Sequence, residues 1–273
     1  MKASPYPPPK EGKKASIKQF SNLQIALMNE HFYTSIAQYY PHIFPFNPAQ
    51  IDFLRQVLPY NGARVLDVGC AIGDLSFALT HFGFPTWAFD MDSQMIEIAQ
   101  NTKAEDAMFP VFEQLDMRLT DQRYPESYFD TVVCFGNTLV HLLNDDDIRQ
   151  FFRATYNVLS PEGKLSIQIL NYQHILDHQV KTLPLIDNDY VRFERSYEFG
   201  ENDDLIDFNT KLTIKSSGQV IKNSVKLYAI RQNKLQELLE EAGFGFIEYF
   251  GNFNGEPLKD NSLPLIVNCQ KTK

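Results

Sequence analysis

Apolar and polar residues follow an alternating order of strands and helices along most of the chain. Between residues 59 and 171, short apolar runs alternate with stretches whose apolar residues recur at helical spacing. The predicted elements are, in order, strand ARVLDVGC, helix DLSFALTHFG, strand PTWAFDMD, helix SQMIEIAQNTKA capped by Ser93, strands FPVFEQLDM and YFDTVVCFGN, helix DDDIRQFFRATYNVLSPEGK and strand KLSIQILN. This α/β alternation predicts a parallel sheet with helices on both faces.

The alternation stops at residue 172 and resumes at residue 231. Residues 172–230 contain the stretches YVRFERSYEF, IDFNTKLTIK and VIKNSVKLYAI, whose alternating pattern predicts antiparallel strands with one solvated face. Helix RQNKLQELLEEAGF and strands GFIEYFGNF and LPLIVNCQK then complete a seven-stranded, mostly parallel sheet. Because the insertion leaves the sheet at its carboxyl edge, where open α/β sheets bind ligands, we expect an antiparallel β lid over the crevice.

The amino-terminal part differs from this core. Residues 17–58 have a mostly helical pattern with aromatic interruptions, which predicts an N-terminal helical cap. Residues 1–16, MKASPYPPPKEGKKAS, have no apolar run suited to a signal peptide and are expected to form a disordered lead-in. The predicted organisation is therefore a lead-in, a cap, a core of residues 59–171 and 231–273, and a lid of residues 172–230.

Composition and charge narrow the classes of partner. The 273 residues are 44% hydrophobic and 22% charged, which fits one large folded α/β domain with an insertion. A net charge of -9 opposes binding to nucleic acid or to an anionic membrane. The three cysteines, Cys70, Cys134 and Cys269, are far apart and lack metal-ligand spacing. We therefore expect a cytoplasmic protein without a bound metal.

An aspartate lies inside the first apolar strand, just before a turn of small residues. The spacing is D-x-G-x-A-x-G, formed by Asp67, Gly69, Ala71 and Gly73. A dinucleotide fingerprint has an apolar residue at that strand position, because a carboxylate would repel the pyrophosphate. Asp67 therefore favours a cationic or ammonium-bearing ligand.

The stretch VLDVGCAIGDLS resembles the first motif of the class I S-adenosylmethionine-dependent methyltransferases. The resemblance covers roughly residues 61–171 and 231–273, and Ala71 departs from the commoner glycine. It implies a Rossmann-like fold and S-adenosylmethionine as cofactor. The cofactor-binding residues that it implies are Asp67, Gly69, Ala71 and Gly73, then Asp90 at the ribose hydroxyls, Met91 and Met117 beside the adenine, Asp116 at the adenine amino group, and Tyr39 or Tyr40 from the aromatic segment AQYYPHIFP.

The stretch CFGNTLVHLL resembles the glycine N-methyltransferase-like branch of that family, which acts on small molecules. Gly136, Asn137, Thr138 and His141 match its G-N-[S/T]-x-x-H-L pattern. The resemblance implies that Gly136 and its neighbours border both cofactor and methyl acceptor. Asn137 is then a candidate for orienting a small polar substrate, and His141 is a candidate general base.

The acceptor is expected to be a small polar or aromatic metabolite. The sequence lacks the N/D-P-P-Y/F motif of enzymes that methylate amino groups in nucleic acids and in some proteins, and its acidic charge also opposes a nucleic-acid substrate. Arg195 and Tyr197 share one face of a predicted lid strand and, with Arg231, are candidates for substrate binding. Whether nitrogen, oxygen or carbon receives the methyl group is left open, as is the choice between a monomer and a homodimer.

Three alternatives remain at this stage. One is a cofactor-binding sensor without catalysis, and a second is an enzyme that uses S-adenosylmethionine for other chemistry, since the fold does not fix the reaction. A nicotinamide-dependent oxidoreductase is disfavoured by Asp67, and by Asp74 at the position of the fingerprint's third glycine.

Overall fold

The computed structural model describes residues 32–200 and 204–272. The predicted lead-in, residues 1–16, and the first part of the predicted cap, residues 17–31, lie outside the described residues. Within the described part, none of the helices has both the length and the apolar character needed to cross a membrane.

Seven strands form the main sheet, in the spatial order β10-β11-β5-β4-β1-β2-β3. Strand β11 is antiparallel to its neighbours β10 and β5, and the other neighbouring strands are parallel. This arrangement confirms the predicted Rossmann-like, mostly parallel sheet. The strands are β1 (Val65–Val68), β2 (Thr86–Asp90), β3 (Val111–Gln114), β4 (Phe129–Cys134), β5 (Leu159–Leu170), β10 (Phe244–Phe250) and β11 (Pro264–Lys271).

Helices cover both faces of this sheet. Val65 packs in one apolar cluster with Leu54 and Leu79, whereas its neighbour Leu66 packs in another with Phe151. Because successive strand residues point to opposite faces, the two clusters are the two sides of the core. The helices are α1 (Tyr40–Ile43), α2 (Ala49–Val57), α3 (Asp74–His81), α4 (Ser93–Thr102), α5 (Thr120–Arg123), α6 (Asp145–Val158), α7 (Tyr172–Asp177) and α8 (Gln232–Glu241).

The start of α4 differs by one residue from the prediction. Asp92, rather than Ser93, is the N-cap, and its side chain accepts hydrogen bonds from the backbone amides of Gln94 and Met95. A carboxylate at this position also interacts favourably with the positive end of the helix. Ser93 is instead the first helical residue.

The insertion forms a separate four-stranded antiparallel sheet, as predicted, in the order β6-β7-β8-β9. Its first residues, however, are helical: Asn171 caps α7 through the amide of His174, and Tyr172, Ile175 and Leu176 bury one helical face. The insertion is therefore a short helix followed by a sheet. The strands are β6 (Ile186–Asp187), β7 (Val191–Phe199), β8 (Leu205–Ile214) and β9 (Val220–Tyr228).

The described part of the cap contacts both the core and the lid. Residues 32–36 are helical and continue through one 3-10 turn into α1. The hydroxyl of Thr34 donates to Asp92 of the core at 2.8 Å, and Asn223 of β9 donates to the hydroxyl of Ser35 at 2.8 Å. Phe44 also packs edge-on against Phe193 of β7. The cap thus joins the two sheets beside the carboxyl edge of the core.

Candidate functional site

A tight turn connects β1 to α3 at the carboxyl edge of the main sheet. Gly69, Ala71 and Gly73 have φ angles of 72°, 48° and 89°, in the region that favours glycine. A Cβ atom on Gly69 would lie 2.3 Å from Thr138 Cγ2, and one on Gly73 would lie 2.5 Å from the Phe112 ring. The turn therefore requires glycine at both positions, and Ala71 bears some conformational strain.

Asp67 is a buried carboxylate beneath this turn. It is 2% exposed, and the hydroxyl of Ser76 donates to its Oδ2 at 2.6 Å. Burial raises the pKa of Asp67 to about 7, with nearby Asp90 adding repulsion and Ser76 opposing the rise. Within the part of the chain that the structure describes, no basic side chain pairs with Asp67.

Asp90 lies at the end of β2 and holds the neighbouring turns. Its Oδ2 accepts from the Ala71 amide and its Oδ1 from the Asp92 amide, both at 2.9 Å. Burial raises the pKa of Asp90 to about 6, although these amide hydrogen bonds oppose the rise. Asp67 and Asp90 together make this edge electronegative, which fits a ligand with positive charge and hydroxyl donors.

One cavity extends from this turn along the ends of β2, β3 and β4. Its apolar lining residues are Phe89, Met91, Met95, Leu115, Met117, Leu142 and Leu143. Asp116 also lines it, but both of its carboxylate oxygens accept hydrogen bonds from Arg118, which also pairs with Asp147. An apolar slot bordered by polar groups is suited to an aromatic ring such as adenine.

Tyr33 and His141 meet at one wall of this cavity. The Tyr33 hydroxyl and His141 Nε2 are 2.9 Å apart. Burial lowers the pKa of His141 to about 4, so its imidazole is neutral near pH 7. The other ring nitrogen, Nδ1, is buried and makes no hydrogen bond among the described residues.

A second cavity adjoins the first and is enclosed by the cap, the core and the lid. Tyr33, Tyr40, Gly69, Ala71 and Gly136 line both cavities. The second cavity is also lined by Asp67 from β1 and by Leu183, Arg195, Tyr197 and Phe208 from the lid. The two cavities therefore meet at the turn and at the two cap tyrosines.

Asn137 lies at the carboxyl end of β4, on the wall of the second cavity. Its φ angle is 67°, its Oδ1 accepts from the Leu170 amide at 2.9 Å, and its Nδ2 donates to the Tyr172 hydroxyl at 2.9 Å. The side-chain amide thus fixes the start of the insertion against the core.

Arg195 reaches the second cavity from β7. One terminal nitrogen donates to the Pro184 carbonyl at 2.7 Å, whereas Nε is buried without a hydrogen-bond partner. Burial lowers the pKa of the guanidinium, and no carboxylate within the described ranges pairs with it. A cation in this state is suited to an anionic group of a ligand.

Comparison with known proteins agrees with this geometry. Residues 65–163 match the family of methyltransferase domains. A glycine/sarcosine N-methyltransferase of Halorhodospira halochloris is 28% identical over 217 residues, covering 74% of this chain and 73% of the relative. One of Aphanothece halophytica is 27% identical over 204 residues, with the same coverage.

A solved structure has the same fold. It is an S-adenosylmethionine-dependent methyltransferase of Clostridium acetobutylicum, with a TM-score of 0.74 and 17% identity, covering 88% of this chain and 99% of that one. This chain belongs to the class I S-adenosylmethionine-dependent methyltransferases. It is an enzyme, and S-adenosylmethionine is its cofactor.

The methyltransferase site brings together most of the residues predicted from sequence. Those that line one or both cavities are Asp67, Gly69, Ala71, Asp90, Met91, Asp116, Met117, Gly136, Asn137, His141, Tyr40, Arg195 and Tyr197. Gly73 lines neither cavity but belongs to the turn between β1 and α3, where its φ angle is positive. Tyr39 lines neither cavity, and Arg231 pairs with Asp177 at 2.9 Å on the surface.

Tyr33 and Gln168 line this methyltransferase site but were missed from the sequence. Tyr33 lies seven residues before Tyr40, so the two share a helical face, and that spacing is a signal that could have identified it. Gln168 lies in β5 and accepts from the Gly136 amide at 2.9 Å. Nothing in the local pattern of β5 distinguishes it. Among the described residues, no three His, Cys, Asp or Glu side chains form a metal site.

Proposed function

We propose that this methyltransferase transfers the methyl group to the nitrogen of a small-molecule amine that also carries a carboxylate. The observation that carries the proposal is Arg195, a partly buried guanidinium without a carboxylate partner among the described residues, on the wall of the second cavity. The names of the glycine/sarcosine N-methyltransferases also support it, since glycine and sarcosine have both groups.

The residues of the first cavity, together with Asp67 beside the turn that the two cavities share, fit the cofactor. Asp67 is suited to its ammonium group, Asp90 to its ribose hydroxyls, and the apolar slot with Met91 and Met117 to its adenine. When bound, S-adenosylmethionine supplies an electrophilic methyl group on a positively charged sulfur. Arg118 donates hydrogen bonds to both carboxylate oxygens of Asp116. We therefore assign the Asp116–Arg118 pair to stabilising the wall of the first cavity.

The acceptor nitrogen must be uncharged to attack, because an ammonium ion has no lone pair. Arg195 supports this state, since a nearby positive charge lowers the pKa of an amine. His141, whose pKa is about 4, is a weak base at neutral pH. We assign it instead to holding the Tyr33 hydroxyl at the junction of the two cavities.

The cap and lid are proposed to exclude water and to select the acceptor. Arg195, Tyr197 and Phe208 belong to the inserted sheet, whereas Asp67, Gly69 and Asp90 belong to the core. Selection of the acceptor therefore resides in residues 172–230 and cofactor binding in the core. Methyl transfer is mainly a matter of aligning nitrogen, methyl and sulfur, which enclosed walls favour.

The test measures S-adenosylhomocysteine formed from S-adenosylmethionine with glycine, sarcosine and larger amino acids, and with matching amines that lack the carboxylate. We expect turnover of carboxylated amines, and Arg195→Met is expected to raise their KM at least about tenfold. Arg192→Met is the matched control, because Arg192 lies on the exposed face of the same strand and pairs with Asp187.

Two results would contradict the proposal. The first is the absence of turnover with every carboxylated amine, together with activity on a phenol or a carbon acid. The second is equal KM values for wild type and Arg195→Met. Cofactor binding without any methylated product would favour a sensor.

A further inference from the structure

The second cavity has one part beside the turn that is assigned to the cofactor and another part between the cap and the lid, where the walls are largely apolar. Its volume is about 440 Å³, within the range of about 300–1,000 Å³ typical of pockets for drug-sized ligands. Part of this space borders the turn at Gly69 and Ala71. The remaining walls come from the cap, the lid and the ends of β4 and β5, and their apolar members are Ile43, Phe44, Pro45, Phe46, Phe135, Leu170, Leu183 and Phe208.

Three of the four amide side chains that line this cavity make hydrogen bonds within the protein. Gln168 accepts from the Gly136 amide and donates to the Ile169 carbonyl. Asn137 bonds the Leu170 amide and the Tyr172 hydroxyl, and Asn47 accepts from the Ala49 amide. The carboxylates of Asp67 and Asp74 lie beside the turn between β1 and α3, and Gln50 and three tyrosines also border the cavity. On the lid side, the walls present hydrocarbon together with the Tyr197 hydroxyl and the charged Arg195.

The apolar walls come from several elements that meet around Arg195. Phe208 of β8 packs against Tyr197 of β7, with ring centroids 5.5 Å apart, and Leu183 is 7% exposed beside them. Leu183 also donates its amide to the Arg195 carbonyl at 3.0 Å. A ligand whose carboxylate bonds Arg195 would therefore have its neighbouring atoms against Leu183, Tyr197 and Phe208.

We propose that the preferred acceptor is an amino acid with an apolar or aromatic side chain, rather than glycine or sarcosine. This inference rests on the proposed function, because it takes the carboxylate on Arg195 as given. Glycine has no side chain that could cover the apolar walls, so they would stay in contact with water. A phenylalanine or leucine side chain would cover these walls and exclude water from them. That gain of buried apolar area favours the larger acceptor.

The experiment compares phenylalanine and leucine with glycine and sarcosine at saturating S-adenosylmethionine. The value measured is kcat/KM for S-adenosylhomocysteine formation. A second readout is calorimetric binding of each amino acid with S-adenosylhomocysteine present, which does not depend on turnover. We expect phenylalanine or leucine to exceed glycine at least about tenfold in both measurements, or about 1.4 kcal/mol.

Two variants test the apolar wall itself. Phe208→Ala is expected to reduce the phenylalanine-to-glycine ratio at least about threefold, because it removes apolar wall that the larger side chain covers more extensively than glycine does. Phe246→Ala is the matched control, since Phe246 is 76% exposed and lines neither cavity, and it should leave the ratio unchanged.

The outcomes separate the two proposals. Glycine or sarcosine turned over as efficiently as phenylalanine and leucine would overturn this inference and leave the proposed function intact. Absence of turnover and binding with all carboxylated amines would overturn both. The wild-type ratio decides the matter even where Phe208→Ala fails to fold.

Discussion

The hydroxyl of Tyr33 lies 2.9 Å from Nε2 of His141, and this hydrogen bond joins the cap to the core where the two cavities meet. Their rings are also in edge contact, with centroids 5.5 Å apart. Since neither ring carries a charge at neutral pH, the pair is suited to positioning a hydroxyl rather than to accepting a proton.

Removing the Tyr33 hydroxyl should slow methyl transfer. Tyr33→Phe keeps the ring but removes the hydroxyl that His141 holds where the two cavities meet, and it leaves Nε2 of His141 without its partner. We therefore expect kcat to fall about tenfold, whereas cofactor affinity should change less than about threefold. Tyr39→Phe is the control, because Tyr39 lines neither cavity. Equal kcat values for Tyr33→Phe and wild type would show that the Tyr33 hydroxyl does not contribute to methyl transfer.

The dependence of kcat/KM on pH should follow the ionisation of the acceptor amine and not that of His141. Because the pKa of His141 is about 4, the imidazole does not titrate between pH 6 and pH 8. With saturating cofactor, kcat/KM for an amine should rise with pH by about tenfold per unit, following the uncharged amine. An additional inflection near pH 6.5 that disappears in His141→Gln would show that His141 is the general base.

His141 should also make folding stability depend on pH. Its pKa is about 4 in the folded protein and 6.5 as a reference, so the folded state disfavours its protonated form. This contribution is complete above pH 6.5 and is lost as the pH falls toward 4. Melting temperatures should therefore decrease more for wild type than for His141→Gln over that interval, and parallel decreases would contradict the assignment.

The Asp67 carboxylate should lower the folding stability of the cofactor-free protein and raise its affinity for the cofactor. Its pKa of about 7 lies above its reference value of 3.8, so the ionised group costs stability as the pH rises from about 4 to 7. Asp67→Asn should raise the melting temperature of the free protein at pH 8. It should also weaken S-adenosylmethionine binding by about 1.5–3 kcal/mol, since a charged hydrogen-bond partner is lost.

Ser76→Ala provides the matched control for Asp67. The Ser76 hydroxyl donates to the carboxylate and opposes the rise in its pKa. In Ser76→Ala, Asp67 should ionise at a higher pH, so the pH at which cofactor affinity increases should shift upward. In Asp67→Asn, cofactor affinity should no longer depend on pH in this way. Calorimetry between pH 6 and 7.5 measures both, and identical profiles for the three proteins would contradict the role of Asp67.

The sequence identified the core because each strand and helix has its own local pattern. Asp67 inside an apolar strand, followed by a turn with glycine at 69 and 73, is a local signal, and the structure confirms the fold that it indicated. The cap of α4 was predicted one residue late, because Ser93 and Asp92 are both good caps and only tertiary contacts distinguish them. Helix α7 was missed because its six residues are too few to establish a period.

The site was harder to predict where it depends on distant segments. Tyr33 and His141 are separated by 108 positions, and their contact follows from how the cap docks on the core. Arg231 was expected near the substrate because it follows a lid strand, but Asp177 from the insertion's helix holds it on the surface. Arg195 was predicted to share one face of its strand with Tyr197, because strand alternation fixes that relationship without knowledge of the partners, and both residues line the second cavity.

The most direct test of the account is the position of the transferred methyl group. The enzyme is incubated with carbon-13 methyl-labelled S-adenosylmethionine and an amino acid acceptor, and the product is analysed by mass spectrometry and NMR. The account predicts a labelled methyl bonded to the amino nitrogen and formed in equal amount with S-adenosylhomocysteine. With Arg195→Met at limiting acceptor, its rate of formation should fall at least about tenfold. A label on oxygen or carbon, or consumption of the cofactor without a methylated amine, would contradict it.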